Sequence, residues 1–154
     1  MGEAAWVRAS TYAAIARGVR GIIFFRDGML HQKETDRVAN ELRYLSDVLV
    51  FGKREPVEHA AEEQVTSARF HHDMNGDGIQ EVYHLICNTS DADNRTNVPT
   101  MAGYDHFELF NEHESGSATS VDLANIELLP YEVKVIRSIA KNDIAYPAQP
   151  NGSK

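Results

Sequence analysis

The sequence has 154 residues, of which 42% are hydrophobic and 25% are charged, so it can form a packed core and wholesale disorder is disfavoured. Lys and Arg number 15 against 23 Asp and Glu, which gives a net charge of −8 and argues against nucleic acid or an anionic membrane as a partner. No apolar run approaches the roughly 20 residues that cross a bilayer. The first residues lack a secretory-signal pattern, and the sequence indicates no compartment.

The single cysteine, Cys87, excludes an internal disulfide and a zinc cluster built on cysteines. It lies in an apolar, strand-like stretch. This position predicts a buried side chain rather than a reactive thiol.

The first third of the chain predicts a helix, a strand and a second helix. Apolar residues recur at three- and four-residue steps in both helical stretches. Between them lies a continuous apolar run, typical of a strand that is covered on both faces. The predicted helices are 3–18 and 32–50, the strand is 20–25, and the loop is 26–31.

A single strand cannot satisfy its own backbone hydrogen bonds. We therefore expect residues 1–52 to be the end of a larger α/β domain whose front is missing, or a part of an oligomer.

The rest of the chain predicts short antiparallel strands separated by Asp, Asn, Gly and Ser clusters. Residues 53–64 are polar and contain Pro56, which indicates a linker, and residues 139–154 indicate a flexible tail. Alternating polarity in the last strand predicts one face in solvent. The predicted strands are 65–72, 80–88, 95–101, 104–110, 118–123 and 131–138. The fold class is therefore α+β, with a small antiparallel β-sandwich over 65–138.

Four segments resemble parts of one enzyme superfamily. Residues 7–25 (VRASTYAAIARGVRGIIFF) resemble the last helix–strand step of the (β/α)8 barrel in glycoside hydrolases of the β-galactosidase-like superfamily, and the helix from residue 41 to 49 (ELRYLSDVL) resembles its closing helix. Residues 85–90 (LICNTS) and 128–137 (LLPYEVKVIR) resemble strands of the β-sandwich that follows the barrel.

The resemblance implies a parent enzyme that cleaves sugars with two carboxylates. In this superfamily the carboxylates come from the ends of the fourth and seventh barrel strands, before the first residue of this sequence, so neither maps onto a residue here. Glu3 fits a helix N-terminus better than a nucleophile. We therefore expect the chain alone to be inactive and to require the missing barrel portion or self-association. The alternative is a stand-alone β-sandwich module that binds calcium or carbohydrate.

Within an intact barrel, the resemblance implies that the end of the eighth strand faces the substrate pocket. Phe25, Arg26, Asp27 and His31 would then contact carbohydrate, the aromatic ring by stacking and the polar groups by hydrogen bonds. The alternative is that Phe25 belongs to the barrel core and that residues 26–28 form a turn.

The segment 73–81 (DMNGDGIQE) matches the start of a calcium loop. Asp73, Asn75 and Asp77 occupy ligand positions 1, 3 and 5, the Ile79 carbonyl occupies position 7, and Glu81 occupies position 9. A histidine stands at position 12, where an EF-hand has its bidentate glutamate. The alternative is a hairpin turn that needs no metal, since Asn-Gly and Asp-Gly are strong turn signals. No other cofactor is indicated.

The histidines favour strand positions over a transition-metal site. His71 and His72 are adjacent, so in a strand they point to opposite faces, and His84 lies on the neighbouring strand. The N-glycosylation patterns at Asn88 and Asn94 are short and frequent by chance, and we interpret both asparagines as turn residues.

Overall fold

The computed structural model describes residues 3–22, 32–59, 64–110, 119–141 and 143, and these ranges contain three helices and eight strands. The predicted α+β class is confirmed. Within these ranges every helix is too short or too polar to span a membrane. The helices are α1 Glu3–Ala16, α2 Gln32–Tyr44 and α3 Ser46–Phe51. The strands are β1 Lys53–Val57, β2 Val65–His72, β3 Glu81–Asn88, β4 Asn94–Thr96, β5 Tyr104–Glu108, β6 Thr119–Ser120, β7 Ile126–Leu128 and β8 Val133–Ala140.

The strands form two antiparallel sheets. The larger sheet has six strands in the order β1-β2-β3-β8-β5-β6, and the smaller one pairs β4 with β7. The central strands β3 and β8 place Leu85 opposite Val135 and Cys87 opposite Val133. Only the pairs β1–β2, β2–β3 and β5–β6 are consecutive in the sequence, so the central pair β3–β8 is a contact between distant parts of the chain.

One face of the larger sheet packs against α1. Alternate residues of β3, namely Tyr83, Leu85 and Cys87, share one buried cluster with Ala9 and Tyr12 of the helix. Cys87 is fully buried, as predicted, and burial raises the pKa of its thiol to about 12. The thiol therefore stays protonated at neutral pH.

The opposite face of the sheet packs against the β4–β7 layer. Ile86 and Ile136 cluster there with Val98, Leu123 and Ile126. All eight residues of β3 are buried, and β8 is buried at seven of its eight positions. The expectation that the last strand has one face in solvent is therefore wrong, because a central strand here is covered by helices on one side and by strands on the other.

A buried ionic network joins the helices to the sheet. The Glu41 carboxylate of α2 accepts hydrogen bonds from Arg8 Nε at 2.9 Å and from the Tyr12 hydroxyl at 2.8 Å. Arg8 Nη1 also donates to the Val133 carbonyl at 2.8 Å. Residues of the predicted N-terminal unit, 1–52, and of the predicted β-rich region, 65–138, are therefore packed in one shared core.

The segment predicted as a linker, 53–64, begins with a strand. β1 pairs along its whole length with β2 and forms one edge of the sheet. Pro56 is compatible with this position because an edge strand has one side without a ladder partner. Residues 60–63 lie outside the described residues.

Three further elements differ from the prediction. The helix expected over 32–50 divides at the buried Leu45, whose φ of −85° and ψ of 3° separate α2 from α3. β8 continues to Ala140, so the first two residues of the predicted tail belong to the sheet. The sequence does not predict β7, because a strand of three residues has almost no periodicity.

The strand predicted over 20–25 is described only to Ile22, and residues 20–22 have no regular secondary structure. Phe25, Arg26, Asp27 and His31 lie outside the described residues. The barrel remnant and its substrate contacts stay predictions.

Candidate functional site

The loop between β2 and β3 contains the predicted calcium ligands. The Asp73 carboxylate accepts hydrogen bonds from the N–H groups of Gly76 at 2.7 Å and Gly78 at 2.9 Å. The Asn75 side-chain oxygen accepts from the Asp77 N–H at 3.2 Å, and the Asp77 carboxylate accepts from the N–H two residues further on at 2.7 Å. The side chains at positions 1, 3 and 5 therefore all turn toward the backbone of the loop.

Two glycines allow this curled conformation. Gly76 has a φ of 73° and Gly78 a φ of 86°, in the left-handed region that side-chain-bearing residues rarely adopt. The loop is thus closed by its own hydrogen bonds. This geometry is equally that of the metal-free turn, the alternative drawn from the sequence.

Asp143 is a residue of this site that the sequence analysis does not identify. Asn75 Nδ2 donates to the Asp143 carboxylate at 3.4 Å across 68 residues of chain, and Asp143 is only 7% exposed. Asp143 is held by its N–H, which donates to the Ala140 carbonyl at 2.9 Å. No sequence signal links Asp143 to the loop, because the contact depends on where β8 ends.

The other two predicted ligands lie at the end of the loop. Ile79 is half-buried. Glu81 is 2% exposed, and its carboxylate accepts from Arg137 Nε at 2.6 Å and from the Tyr83 hydroxyl at 2.8 Å. As the first residue of β3, Glu81 is directed to the helix-covered face of the sheet, where it forms a buried ion pair instead of contacting the loop.

Across the described ranges, no three His, Cys, Asp or Glu side chains are grouped so that they could hold a metal ion. The predicted calcium ligands are not a group of acidic, histidine or cysteine side chains alone, because they include the Asn75 side-chain amide and the Ile79 backbone carbonyl. Hard cations such as Ca²⁺ accept both of these oxygen types.

A second polar cluster lies on the face of the larger sheet opposite the helices. His84 Nε2 and His106 Nδ1 are 3.0 Å and 2.7 Å from the Ser138 hydroxyl oxygen. Burial lowers the pKa of His84 to about 3 and also lowers the pKa of His106, so both rings are neutral near pH 7. Ser138 is completely buried, so a substrate cannot reach its hydroxyl, and the cluster supports the sheet rather than nucleophilic chemistry.

His71 and His72 point to opposite faces of β2, as predicted, because they are consecutive strand residues. His71 Nε2 lies 3.1 Å from the Glu55 carboxylate, which Arg69 also contacts at 2.6 Å. The hydrogen bond from His71 and the charge of Arg69 lower the pKa of Glu55. His71 is therefore paired with a carboxylate within the sheet face.

Both asparagines of the N-glycosylation patterns take part in side-chain hydrogen bonds. Asn88 is fully buried, and its amide nitrogen donates to the carbonyls of Ala92 at 2.7 Å and Leu129 at 2.8 Å. Asn94 Nδ2 donates to the Asn88 side-chain oxygen and to the Ser90 hydroxyl, both at 2.9 Å. Asn88 is the last residue of β3 and Asn94 the first of β4, so the interpretation of both as turn residues is wrong, although their side chains organise the turn between these strands.

Glu3, predicted as a helix N-terminal residue, is the first residue of α1. Its interpretation as a residue that favours the helix N-terminus rather than a nucleophile stays a prediction.

Comparison with known proteins gives no assignment. No protein-family model matches the chain, and no curated protein sequence matches it.

Proposed function

We propose that this chain is the C-terminal part of a glycoside hydrolase and that its β-rich portion is a non-catalytic accessory sandwich. The observation that carries the proposal is the pairing of the two segments that resemble sandwich strands. Residues 85–90 include the end of β3 and residues 128–137 include much of β8, and these strands are hydrogen-bonded neighbours. The β4–β7 sheet on the far face supplies a second β layer.

A direct contact between the two segments supports the same proposal. The Asn88 amide, from the first segment, donates to the Leu129 carbonyl of the second at 2.8 Å. In the return direction, the Tyr131 N–H donates to the Ser90 carbonyl at 3.1 Å. The asparagine and serine of the Asn-Thr-Ser element therefore hold the end of one strand against the approach to the other.

The non-catalytic part of the proposal depends on how the buried carboxylates are used. A retaining glycosidase needs two carboxyl groups about 5–5.5 Å apart that face the substrate. Glu41 and Glu81 are buried, and each accepts hydrogen bonds from an arginine and a tyrosine inside the core. Carboxylates engaged in this way support the fold and do not face a sugar.

Glu108 is the best remaining candidate for a catalytic acid in the described ranges. Burial raises the pKa of its carboxyl, as in many general acids. Lys134 Nζ lies 3.5 Å from this carboxylate and 3.3 Å from that of Glu132, so a cation separates the two acidic groups. A single ammonium group compensates the two carboxylates only in part, but its contact with both of them favours a structural role.

The proposal is tested with a panel of aryl glycosides and with the coding region upstream of this sequence. The chain alone should release no aglycone, and the upstream frame should continue into alternating strands and helices that contain the two carboxylates. Turnover by the purified chain that disappears in a Glu108→Gln variant would contradict the proposal. An in-frame stop directly upstream would contradict it as well.

A second candidate function, calcium binding at the β2–β3 loop, is favoured by Asp143. We propose that Ca²⁺ draws the Asp143 carboxylate together with Asp73, Asn75 and Asp77, with the Ile79 carbonyl as a further ligand. In the described structure these carboxylates are not grouped around one point, so binding requires the loop side chains to exchange their bonds to backbone N–H groups for the ion. Glu81 has no part in this set, because its carboxylate is paired with Arg137. Asp143 would supply the carboxylate that position 12 of an EF-hand supplies.

The test is a thermal melt with Ca²⁺ or Mg²⁺ for the chain and for matched Asp→Ala variants. A ligand at 100 times its Kd stabilises the folded state by about 2.7 kcal/mol, so Ca²⁺ should raise the Tm by several degrees. Asp77→Ala and Asp143→Ala should abolish that rise, whereas Asp91→Ala, at an exposed turn residue, should keep it. If millimolar Ca²⁺ does not raise the Tm of the parent protein, the pattern at 73–81 is a turn that binds no metal.

A further inference from the structure

A cavity of about 780 Å³ lies between the C-terminal end of α1, the helices α2 and α3, and the first two strands. This volume is in the range of sites for small organic molecules. The lining combines apolar side chains with polar groups, and its surface is only slightly more apolar than polar. Its main apolar side chains are Ile15, Val19, Ile22, Leu42, Leu49 and Phe70.

The charged residues in the described lining of the cavity are two arginines, Arg20 and Arg54, and the described lining has no acidic residue. Arg20 is exposed. This local positive charge occurs in a chain whose net charge is −8, so it is not a reflection of overall composition. Two positive charges without an acidic residue in the described lining would attract an anion to the cavity.

Arg54 is positioned by the end of α1. Its Nε and Nη2 donate to the Ala16 carbonyl at 3.0 Å and 2.5 Å, which leaves Nη1 without a hydrogen bond to the described part of the chain. A Cβ on Gly18 would lie 3.5 Å from Nη1, and Gly18 has a φ of 97° that disfavours any side chain. The glycine therefore leaves one face of the guanidinium uncovered beside the cavity.

We propose that this cavity binds an apolar molecule that carries one anionic group, in the class of medium-chain carboxylates. The apolar part packs against the side chains of α1, α2 and α3, and the carboxylate accepts hydrogen bonds from Arg20 and from Arg54 Nη1. Charge-assisted bonds of this kind are stronger than neutral ones, so the anionic group adds to the burial of the apolar chain. This inference is independent of the calcium site, but not of the proposed glycoside hydrolase origin. Residues 20–22 line the cavity and also begin the predicted barrel strand, so the missing barrel portion would compete with the ligand for this surface.

The test compares three ligands of equal chain length by titration calorimetry with the full chain: decanoate, decanol and decyltrimethylammonium. Decanoate should bind one site per chain. Decanol should bind about tenfold more weakly, because it lacks the charge-assisted hydrogen bonds, and the cation should not bind.

Variants locate the site. Arg20→Glu should weaken decanoate binding about tenfold or more, and Val19→Asp, at the exposed rim, should weaken decanoate and decanol together. The matched control is Arg43→Glu, which makes the same charge change on the exposed side of α2, outside the cavity, and should leave affinity unchanged. Arg20→Gln, with a smaller charge change, replaces Arg20→Glu if the latter does not fold in a urea titration.

Three results would overturn the inference. The first is that decanol binds as tightly as decanoate, and the second is that Arg43→Glu weakens binding as much as Arg20→Glu. The third is that no ligand saturates the chain. If the chain then dimerises through its exposed Val50 and Phe51, which are 70% and 74% exposed, the surface serves a second copy and not a small molecule.

Discussion

Glu41→Gln should strongly destabilise the fold because it breaks a buried ion pair while keeping the size of the side chain. The side chains of Arg8 and Glu41 are only 3% and 7% exposed. The variant leaves the Arg8 guanidinium buried with its bond to the Val133 carbonyl but without its hydrogen-bonded carboxylate. The carboxylate accepts hydrogen bonds on both oxygens, from Arg8 and Tyr12 on one and from Arg37 on the other, whereas the amide has one oxygen, so its NH2 group must face at least one of these donors.

The expected loss is about 3–5 kcal/mol, the usual cost of removing one partner of a buried pair. A domain of this size has about 5–15 kcal/mol of stability in total. Arg37, whose side chain is 31% exposed, also donates to Glu41 at 3.0 Å but contributes less, since water screens its charge.

Urea unfolding followed by far-ultraviolet circular dichroism measures this loss. With an m value of about 2 kcal/mol/M, the midpoint should fall by about 1.5–2.5 M. The matched control is Arg95→Gln, which breaks an ion pair with Glu127 whose side chains are 69% and 70% exposed. It should cost less than about 1 kcal/mol.

The double variant Arg8→Met/Glu41→Leu completes the test. Replacing both partners with apolar side chains removes the buried cation together with the carboxylate, so it should cost less than Glu41→Gln alone. The reasoning fails if Glu41→Gln shifts the midpoint no more than Arg95→Gln does, or if the double variant loses at least the sum of its single changes.

The remaining predictions concern local features. Burial lowers the pKa of His84 from 6.5 to about 3 in the folded state, so between these values the unfolded chain binds an extra proton. The free energy of unfolding should therefore fall as the pH drops from about 6.5 to 3. His84→Gln should reduce the difference between the urea midpoints at pH 7 and pH 4, and an unchanged difference would contradict this. Asn88→Ala should cost about 2–3 kcal/mol in the same assay through its lost buried hydrogen bonds, and a smaller loss than about 1 kcal/mol would show that the network is replaceable. Gly52→Ala should lower the Tm because a Cβ there would lie 2.2 Å from the Val48 carbonyl oxygen, whereas Gly21→Ala, with no atom within 4 Å, should keep or raise it; equal Tm values would refute the comparison.

Local pattern predicts the β2–β3 hairpin well. β2 occupies the residues predicted for it, and β3 begins one residue later than predicted. Alternating apolar residues and the Asn-Gly and Asp-Gly pairs carry this information within a short stretch of chain. The burial of Cys87 follows from the same pattern.

Contacts between distant parts of the chain are beyond such patterns. The alternating polarity of the last strand predicts that one of its faces is in solvent. In the structure β8 is covered on both faces, because the β4–β7 layer packs on the face expected to contact water. The edge position of β1 likewise turns a polar, proline-containing segment into a strand.

The sequence by itself determined the mixed helix and strand content, the hairpin and the oxygen-rich turn, because each depends on residues adjacent in the chain. Only the tertiary structure decided that Glu81 pairs with Arg137 and that Asp143 reaches Asn75. Strand register sets these two contacts, and register is fixed by the burial of both sheet faces together, a property of the whole fold.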